Sequence, residues 1–353
     1  MAAHCGLAFI EPALFPPQSA QVPAQIKVEP EDWQVTEEFD AAFTQTGEHG
    51  YFFIEKRCLS TAPVAAWLAK QFDVPERDVG FAGMKDKHAL TRQWFSVRLP
   101  GPEEAVDIPR LERTEGDERI KVLASHRHQR KLRRGEHQAN RFQIVLRSVD
   151  QPVDTEVLSR SFESGFPNYF GPQRFGRHNL GDALHWLNRR RDRRVAWRVS
   201  RQQKGWHLSV LRSWVFNELL AARVADGSWK TCLDGDAVGQ GGVLGEAIPT
   251  GPLWGRGRER RTGEALRRQQ RSFEQIKTPD ESQSLGAVCE ALEYAGVDRG
   301  ERGLAVKPWD VGCEQDLSAG TVTATFCLPV GAYATVMLGR WFALRDMSLE
   351  PSQ

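Results

Sequence analysis

The chain has 353 residues, with 47 Lys and Arg against 46 Asp and Glu, and a formal net charge of only +1. So small a total argues against a nucleic-acid binder, because such domains usually carry a large positive excess. At 40% hydrophobic and 26% charged residues the composition is globular, neither disordered nor fibrous, and the length suits two or three domains.

The first residues, MAAHCGLAFIEPALFPPQ, have no basic start and are interrupted by Glu11 and prolines, which makes a poor signal peptide. Residues 26–57 predict strands, IKVEPEDWQVTEEF and YFFIEKR, about the polar turn TQTGEHG. Ser60 or Thr61 then suits a helix cap, with Pro63 in the first turn and Val64, Trp67, Leu68 and Phe72 at helical spacing. Strands are predicted at Trp94 to Leu99, over 142–147 (FQIVLR) and over 321–328 (TVTATFCL), and a closing helix from Gly331 onward (GAYATVMLGRWFAL). Residues 165 to about 305 change character, becoming rich in Arg, Gly and Trp. This predicts an inserted domain at 165–305, splitting a catalytic domain built from 1–164 and 306–353. The Gly-rich stretch GQGGVLGEAIPTGPLWGRG lacks the lysine of a phosphate-binding loop and any preceding strand signal.

The six cysteines, at 5, 58, 232, 289, 313 and 327, are never closer than fourteen residues, which excludes CxxC zinc knuckles and a dense disulfide framework. Free thiols in a reducing, cytoplasmic setting are expected. No run of eighteen apolar residues is present, so no membrane span is expected. His126, His128 and His137 lie close together without Cys or carboxylate at ligand spacing, and no metal site is expected there.

The neutral total conceals a strong pattern. Residues 1–50 hold eight carboxylates and one lysine, a balance of −7. Residues 126–141 carry +5, residues 174–204 carry +8 and residues 256–271 carry +5, against −17 over the rest of the chain. Clustered guanidiniums suit phosphate, since each planar fork engages it bidentately, although a solvated charged face would look the same.

The segment richest in chemistry is GFAGMKDKHALTRQW, residues 80–94. Asp86 lies there between Lys85 and Lys87, and nearby positive charge favours the ionised carboxylate that a nucleophile requires. Gly80 and Gly83 permit a tight path that presents it in a cleft. Alone, KDK is also a common solvated turn.

FAGMKDKHALTRQW resembles the signature of the TruD family of tRNA pseudouridine synthases, and other segments match the family in the same order. These are IKVEPEDWQVTEEF, with Trp33 where Phe is more usual, HRHQRKLRRGEHQANRF, PNYFGPQRFG, DGDAV and LPVGAYATVML. The resemblance covers nearly the whole chain. It implies an α+β fold with mixed α/β content: a pseudouridine-synthase-type catalytic domain with an antiparallel sheet, and an inserted α/β TRUD domain. It also implies a cofactor-free isomerase that converts uridine 13 of the tRNA D-arm to pseudouridine, the base being detached, turned and rejoined through C5.

Carried over by the resemblance, Asp86 is the catalytic aspartate and Lys27 the active-site lysine that pairs with it. Phe142 is the aromatic suited to stacking on the extruded uracil, and Asn140 orders the aspartate loop. Without the resemblance these are a surface lysine, a core Phe and a turn Asn. Arg130, Lys131, Arg133 and Arg134 are expected on one wall of an RNA cleft, with residues 174–204, including Arg174, Arg190, Arg191, Arg193 and Arg194, and residues 256–271 on the other. PNYFGPQRFG is expected to be mainly a packed hinge, with Arg174 and Phe175 at the rim of the active site. The expected partner is tRNA, with no obligate protein partner and a monomeric state. An RNA-binding protein without catalysis would lack Asp86, and a methyltransferase would need a Gly-rich loop after an early strand; neither pattern is found.

Overall fold

The computed structural model describes residues 21–99, 111–176, 178–189, 199–241 and 246–349. In chain order the elements begin with β1 (Val22–Ile26), β2 (Trp33–Glu38), β3 (His49–Arg57) and helix α1 (Thr61–Gln71). There follow β4 (Val79–Phe81), β5 (Leu90–Arg98), β6 (Glu112–Glu115), β7 (Glu118–His128), β8 (Ala139–Arg147) and α2 (Thr155–Glu163). Next come β9 (Phe166–Pro167), α3 (Pro172–Phe175), α4 (Asn179–Arg189), α5 (Arg201–Ala225), β10 (Val238–Gly241) and β11 (Glu246–Leu253). After α6 (Gly263–Gln275) and α7 (Leu285–Tyr294) lie β12 (Gly300–Gly303), β13 (Ala305–Val306), β14 (Trp309–Asp316), β15 (Thr321–Pro329), α8 (Ala334–Leu338) and β16 (Phe342–Asp346).

These elements form two compact units. One holds 21–163, 308–331 and 341–349, and is built on a sheet of eleven strands among the described residues. Its main order is β14-β15-β8-β2-β5-β3-β7-β6, with β4 on β5 and with β1 joining β8 to β16. Most pairs are antiparallel; β2 with β5 and β1 with β16 are parallel. Helix α1 covers one face: Val64, Leu68 and Ala69 pack with Phe52, Ile54, Phe95 and Val97. Strand alternation explains this face, because Phe52 and Ile54 of β3 are two residues apart and both point inward.

The other unit holds 164–307 and 332–340. Its core is the long helix α5, whose Leu208, Leu211, Trp214 and Val215 pack with α4 (Leu184, Leu187) and α7 (Val288, Leu292). An antiparallel sheet, β10-β11-β12, completes it. Among the described residues no helix is long and apolar enough to cross a membrane.

Two local expectations are corrected. The closing helix is only five residues long and gives way after Gly339 to strand β16. Phe342 is buried and Leu344 half-buried, whereas Ala343 and Arg345 are exposed, which is the two-residue period of a strand. The Gly-rich stretch from 239, which gave no strand signal, contributes to strands β10 and β11, which pair antiparallel. Gly251 is needed there for close packing, since a Cβ would come within 2.8 Å of the rings and methyls of Phe216 and Leu304.

Candidate active site

The first chemical group appears just after β1. Lys27 adopts φ 56°, the left-handed region that a residue with a side chain rarely occupies, and this turns the chain sharply out of the strand. Its ammonium sits 3.9 Å from Asp86 Oδ2 and 3.5 Å from Asp346 Oδ2, and lies over the Trp33 ring at 4.7 Å. Asp86 is 48% exposed on its side chain, so its carboxylate is open to a substrate. Asp346 comes from β16 and is itself held by the amide of Ser348 at 3.0 Å and its hydroxyl at 2.6 Å. The sequence reading missed Asp346 because β16 was expected to be helix.

The loop that carries Asp86 is fastened at four points. Gln93 Nε2 donates to the Gly83 carbonyl at 3.1 Å, and the Lys85 amide donates to Thr61 Oγ1 at 2.9 Å. The Lys85 ammonium donates to Glu37 Oε1 at 3.0 Å, and Lys56 Nζ donates to the Asp86 carbonyl at 2.9 Å. Lys85 therefore faces inward to Glu37, and the ammonium that pairs with the Asp86 carboxylate is that of Lys27. Glu37 also accepts from the Trp94 amide at 3.0 Å. His137 lies 3.8 Å from Glu37, but burial and the nearby Lys85 push its imidazole down to about 4, so it is neutral near pH 7.

Lys56 was not singled out in the sequence. It is fully buried, and its ammonium is held by two carbonyls, those of Leu59 and Asp86. Burial pushes it down to about 8, against a partial upward pull from the Asp86 charge and a further downward push from Lys85. Between pH 8 and the ordinary value of 10.5 the folded state thus binds fewer protons than the unfolded chain, so stability rises with pH through that window. Against Lys56→Met as reference, urea midpoints should show the wild type gaining stability as pH climbs from 8 to 10.5; parallel midpoints would contradict the buried charge.

A single row across the sheet places the aromatic residue. Register pairs Lys56 with Thr91, Thr91 with Val35, Val35 with Phe142 and Phe142 with Phe326. Phe142 is therefore in the same cross-strand row as the lysine that holds the Asp86 carbonyl. Its ring is 8% exposed and stacked on Phe326, with centroids 5.3 Å apart, so it offers a rigid floor with little free face. Asn140 sits one pair further along, opposite Glu37 and Leu328. Its expected hydrogen bond to the aspartate loop is not formed, and Oδ1 is buried without a partner among the described residues. As a strand residue it is set by sheet register, which leaves its carbonyl as an unused acceptor.

Arg130, Lys131, Arg133 and Arg134 occupy the loop between β7 and β8, which packs beside the strand leading to Asp86. Within that loop the Gly135 amide donates to the Ala82 carbonyl at 2.8 Å and buried Leu132 bonds Ser96 Oγ at 2.9 Å, while Arg134 lies 3.8 Å over the Phe81 ring. Arg130 pairs with Glu136 at 2.9 Å and Lys131 bonds the Arg77 carbonyl; Arg133 and Arg134 make no ion pair among the described residues. Arg174 belongs to the other unit. Arg190, Arg191, Arg193 and Arg194 lie outside the described residues.

The charge of residues 256–271 is compensated in part, while Arg258 and Arg260 are exposed and make no ion pair among the described residues. Arg256 pairs with Asp298, Arg261 with Glu259 and Glu301, and Arg267, Arg268 and Arg271 with Glu264. A cavity of about 370 Å³ in the same unit is likewise lined by cations already in ion pairs, Arg223 with Asp236 and Arg268 with Asp226. Among the described residues no group of three or more His, Cys, Asp or Glu is arranged to hold a metal ion.

Comparison with known proteins identifies the family. The model of the family described as tRNA pseudouridine synthase D (TruD) matches residues 13–185. A tRNA pseudouridine synthase D from Cellvibrio japonicus is 39% identical over 340 residues, covering 93% of this chain and 92% of the relative. One from Chromohalobacter salexigens is 38% identical over 333 residues, covering 88% and 90%. A crystal structure from Methanosarcina mazei bearing the TruD name aligns with a TM-score of 0.65 at 19% identity, covering 92% of this chain and 94% of that one, and supports the fold alone.

These matches define the class first, that of the isomerases which make pseudouridine from uridine in tRNA. Within that class, the chain belongs to the tRNA pseudouridine synthase D family.

Proposed function

We propose that the chain isomerises uridine 13, in the D-arm of tRNA, with Asp86 as the reacting carboxylate. The observation that carries this reading is the exposed Asp86 carboxylate held 3.9 Å from the Lys27 ammonium on a loop tied down at its backbone. The isomerisation breaks the bond from uracil N1 to ribose C1′ and forms one from C5 to C1′. The C5 proton is lost and N1 gains one, so nothing is oxidised and no group is consumed. Asp86 can serve by adding to C6 of the uracil or by taking a ribose proton to form a glycal.

Lys27 keeps the carboxylate ionised once the bound base displaces water. Asp346 gives that ammonium a second anchor, so Lys27 stays in place while Asp86 reacts. Phe142 supports the extruded uracil from below, and the unused Asn140 carbonyl is an acceptor for a base N–H. A stacked uridine must first be extruded, at a cost of a few kcal/mol that stacking and backbone contacts offset. Arg130, Lys131, Arg133 and Arg134, beside the aspartate loop, would supply phosphate contacts.

The test is incubation of unmodified tRNA with purified protein and no additives, followed by carbodiimide mapping. One new pseudouridine in the D-arm is expected. Modification at another position would refute the choice of uridine, and no pseudouridine would refute the activity.

A further inference from the structure

The unit containing 164–307 carries an alternating ladder of cations and aromatic rings. Arg302, half-buried and held by the Asn168 carbonyl at 3.1 Å and its Oδ1 at 2.5 Å, lies 4.1 Å over Phe170. Arg174 lies 5.9 Å from the same ring and 4.8 Å over Trp206. It is fixed by the hydroxyls of Ser209 and Ser213, which follow Trp206 along the same side of α5. The ladder thus runs from a half-buried guanidinium outward and stops at Trp206, which is 42% exposed. The neighbouring tryptophans Trp186, Trp214 and Trp254 are all buried in the core of this unit. Only Trp206 among these four is spared for the surface.

The first turns of α5 supply two more observations. Before Glu218 the helix holds Arg201, Lys204 and Arg212 and no carboxylate, and residues 201–205 are exposed. Arg201 and Lys204 make no ion pair among the described residues. Gly205, next to Trp206, weakens a helix relative to alanine, yet a Cβ there would meet nothing within 4 Å. No packing among the described residues asks for this glycine, and its missing side chain leaves room for a ligand to approach the helix backbone closely.

We propose that Trp206 is a stacking platform for an unpaired nucleobase of the tRNA, with Arg201 and Lys204 taking the adjoining phosphates. The inference rests on the reading of the chain as a tRNA-modifying isomerase. RNA suits the surface because single-stranded bases stack on aromatic rings while cations follow the backbone, and Arg174 behind the indole pre-sets the ring. The bound base would continue the cation–aromatic alternation by one rung.

The experiment compares tRNA binding, by filter retention, in wild type, Trp206→Ala and Trp206→Phe, alongside pseudouridine formation. Loss of one stacked base should weaken binding by about tenfold or more in Trp206→Ala and by no more than about threefold in Trp206→Phe. KM should rise with kcat at saturating tRNA unchanged, and the indole quenching seen when wild type binds tRNA should shrink in Trp206→Phe. Wild-type affinity in Trp206→Ala would overturn the proposal, as would equal weakening of both variants with lowered thermal midpoints. A wild-type protein that forms pseudouridine while Trp206→Ala binds normally sinks this inference alone. A wild-type protein that forms none sinks the functional reading instead.

Discussion

Asp86→Asn should reduce pseudouridine formation about ten-thousand-fold, the scale on which enzymes lose activity when an irreplaceable nucleophile is removed, while tRNA binding persists. The fold should survive, because the side chain is 48% exposed and the fastening of the loop does not involve the carboxylate. Lys56 bonds the Asp86 backbone carbonyl, and Lys27 retains Asp346 at 3.5 Å. Asparagine has the same shape but cannot add to C6 or take a proton. Asp86→Glu offers a useful contrast: it keeps the charge but shifts it by about one methylene, a misplacement that costs about 100-fold. Single-turnover formation of pseudouridine, measured beside tRNA binding, separates these outcomes. An Asp86→Asn variant with full activity would remove the aspartate from the chemistry.

The pairing of Lys27 with Asp86 was legible in the sequence because both residues sit in short, ordered motifs. The strands of the large sheet were legible for a different reason, their two-residue alternation. That same alternation contained a signal that went unused: in HGYFFIEKR, Lys56 is in phase with Phe52 and Ile54, so it had to face inward with them. A lysine on the buried phase of a strand needs partners, and those partners are carbonyls of the catalytic loop and the turn before α1. Asp346 could not be found this way, because it depends on β16 pairing in parallel with β1 from the far end of the chain. The charge map was only half informative. Residues 126–141 keep exposed arginines beside the loop that carries Asp86, whereas Arg256, Arg261 and Arg268 of the 256–271 segment meet Asp298, Glu301 and Asp226, carboxylates supplied from other elements. Local sequence shows where cations are concentrated; whether they remain available for phosphate is decided by tertiary contacts.

The largest effect on stability is expected from Glu37→Ala. Glu37 has a side-chain exposure of 0%, and its two oxygens accept from the Lys85 ammonium and the Trp94 amide, both at 3.0 Å. Removing it leaves a buried ammonium with no anion, because the neighbouring His137 is neutral and cannot replace it. Breaking one half of a buried ion pair costs about 3–5 kcal/mol, mostly as the penalty of the stranded charge. Removing both charges in Glu37→Gln with Lys85→Met should therefore be less damaging than Glu37→Ala alone, although a buried ion pair attracts strongly in isolation. Urea unfolding of Glu37→Ala and of the double variant measures this directly. If Glu37→Ala shifted stability by less than about 1 kcal/mol, the range of an exposed pair, the ammonium would have to be solvated. Lys85 immediately precedes Asp86, so the same substitution should loosen the loop and lower kcat even where the protein remains folded. Stability and catalysis meet at this carboxylate: the charge that fixes Lys85 in the core also determines where the next residue presents its own.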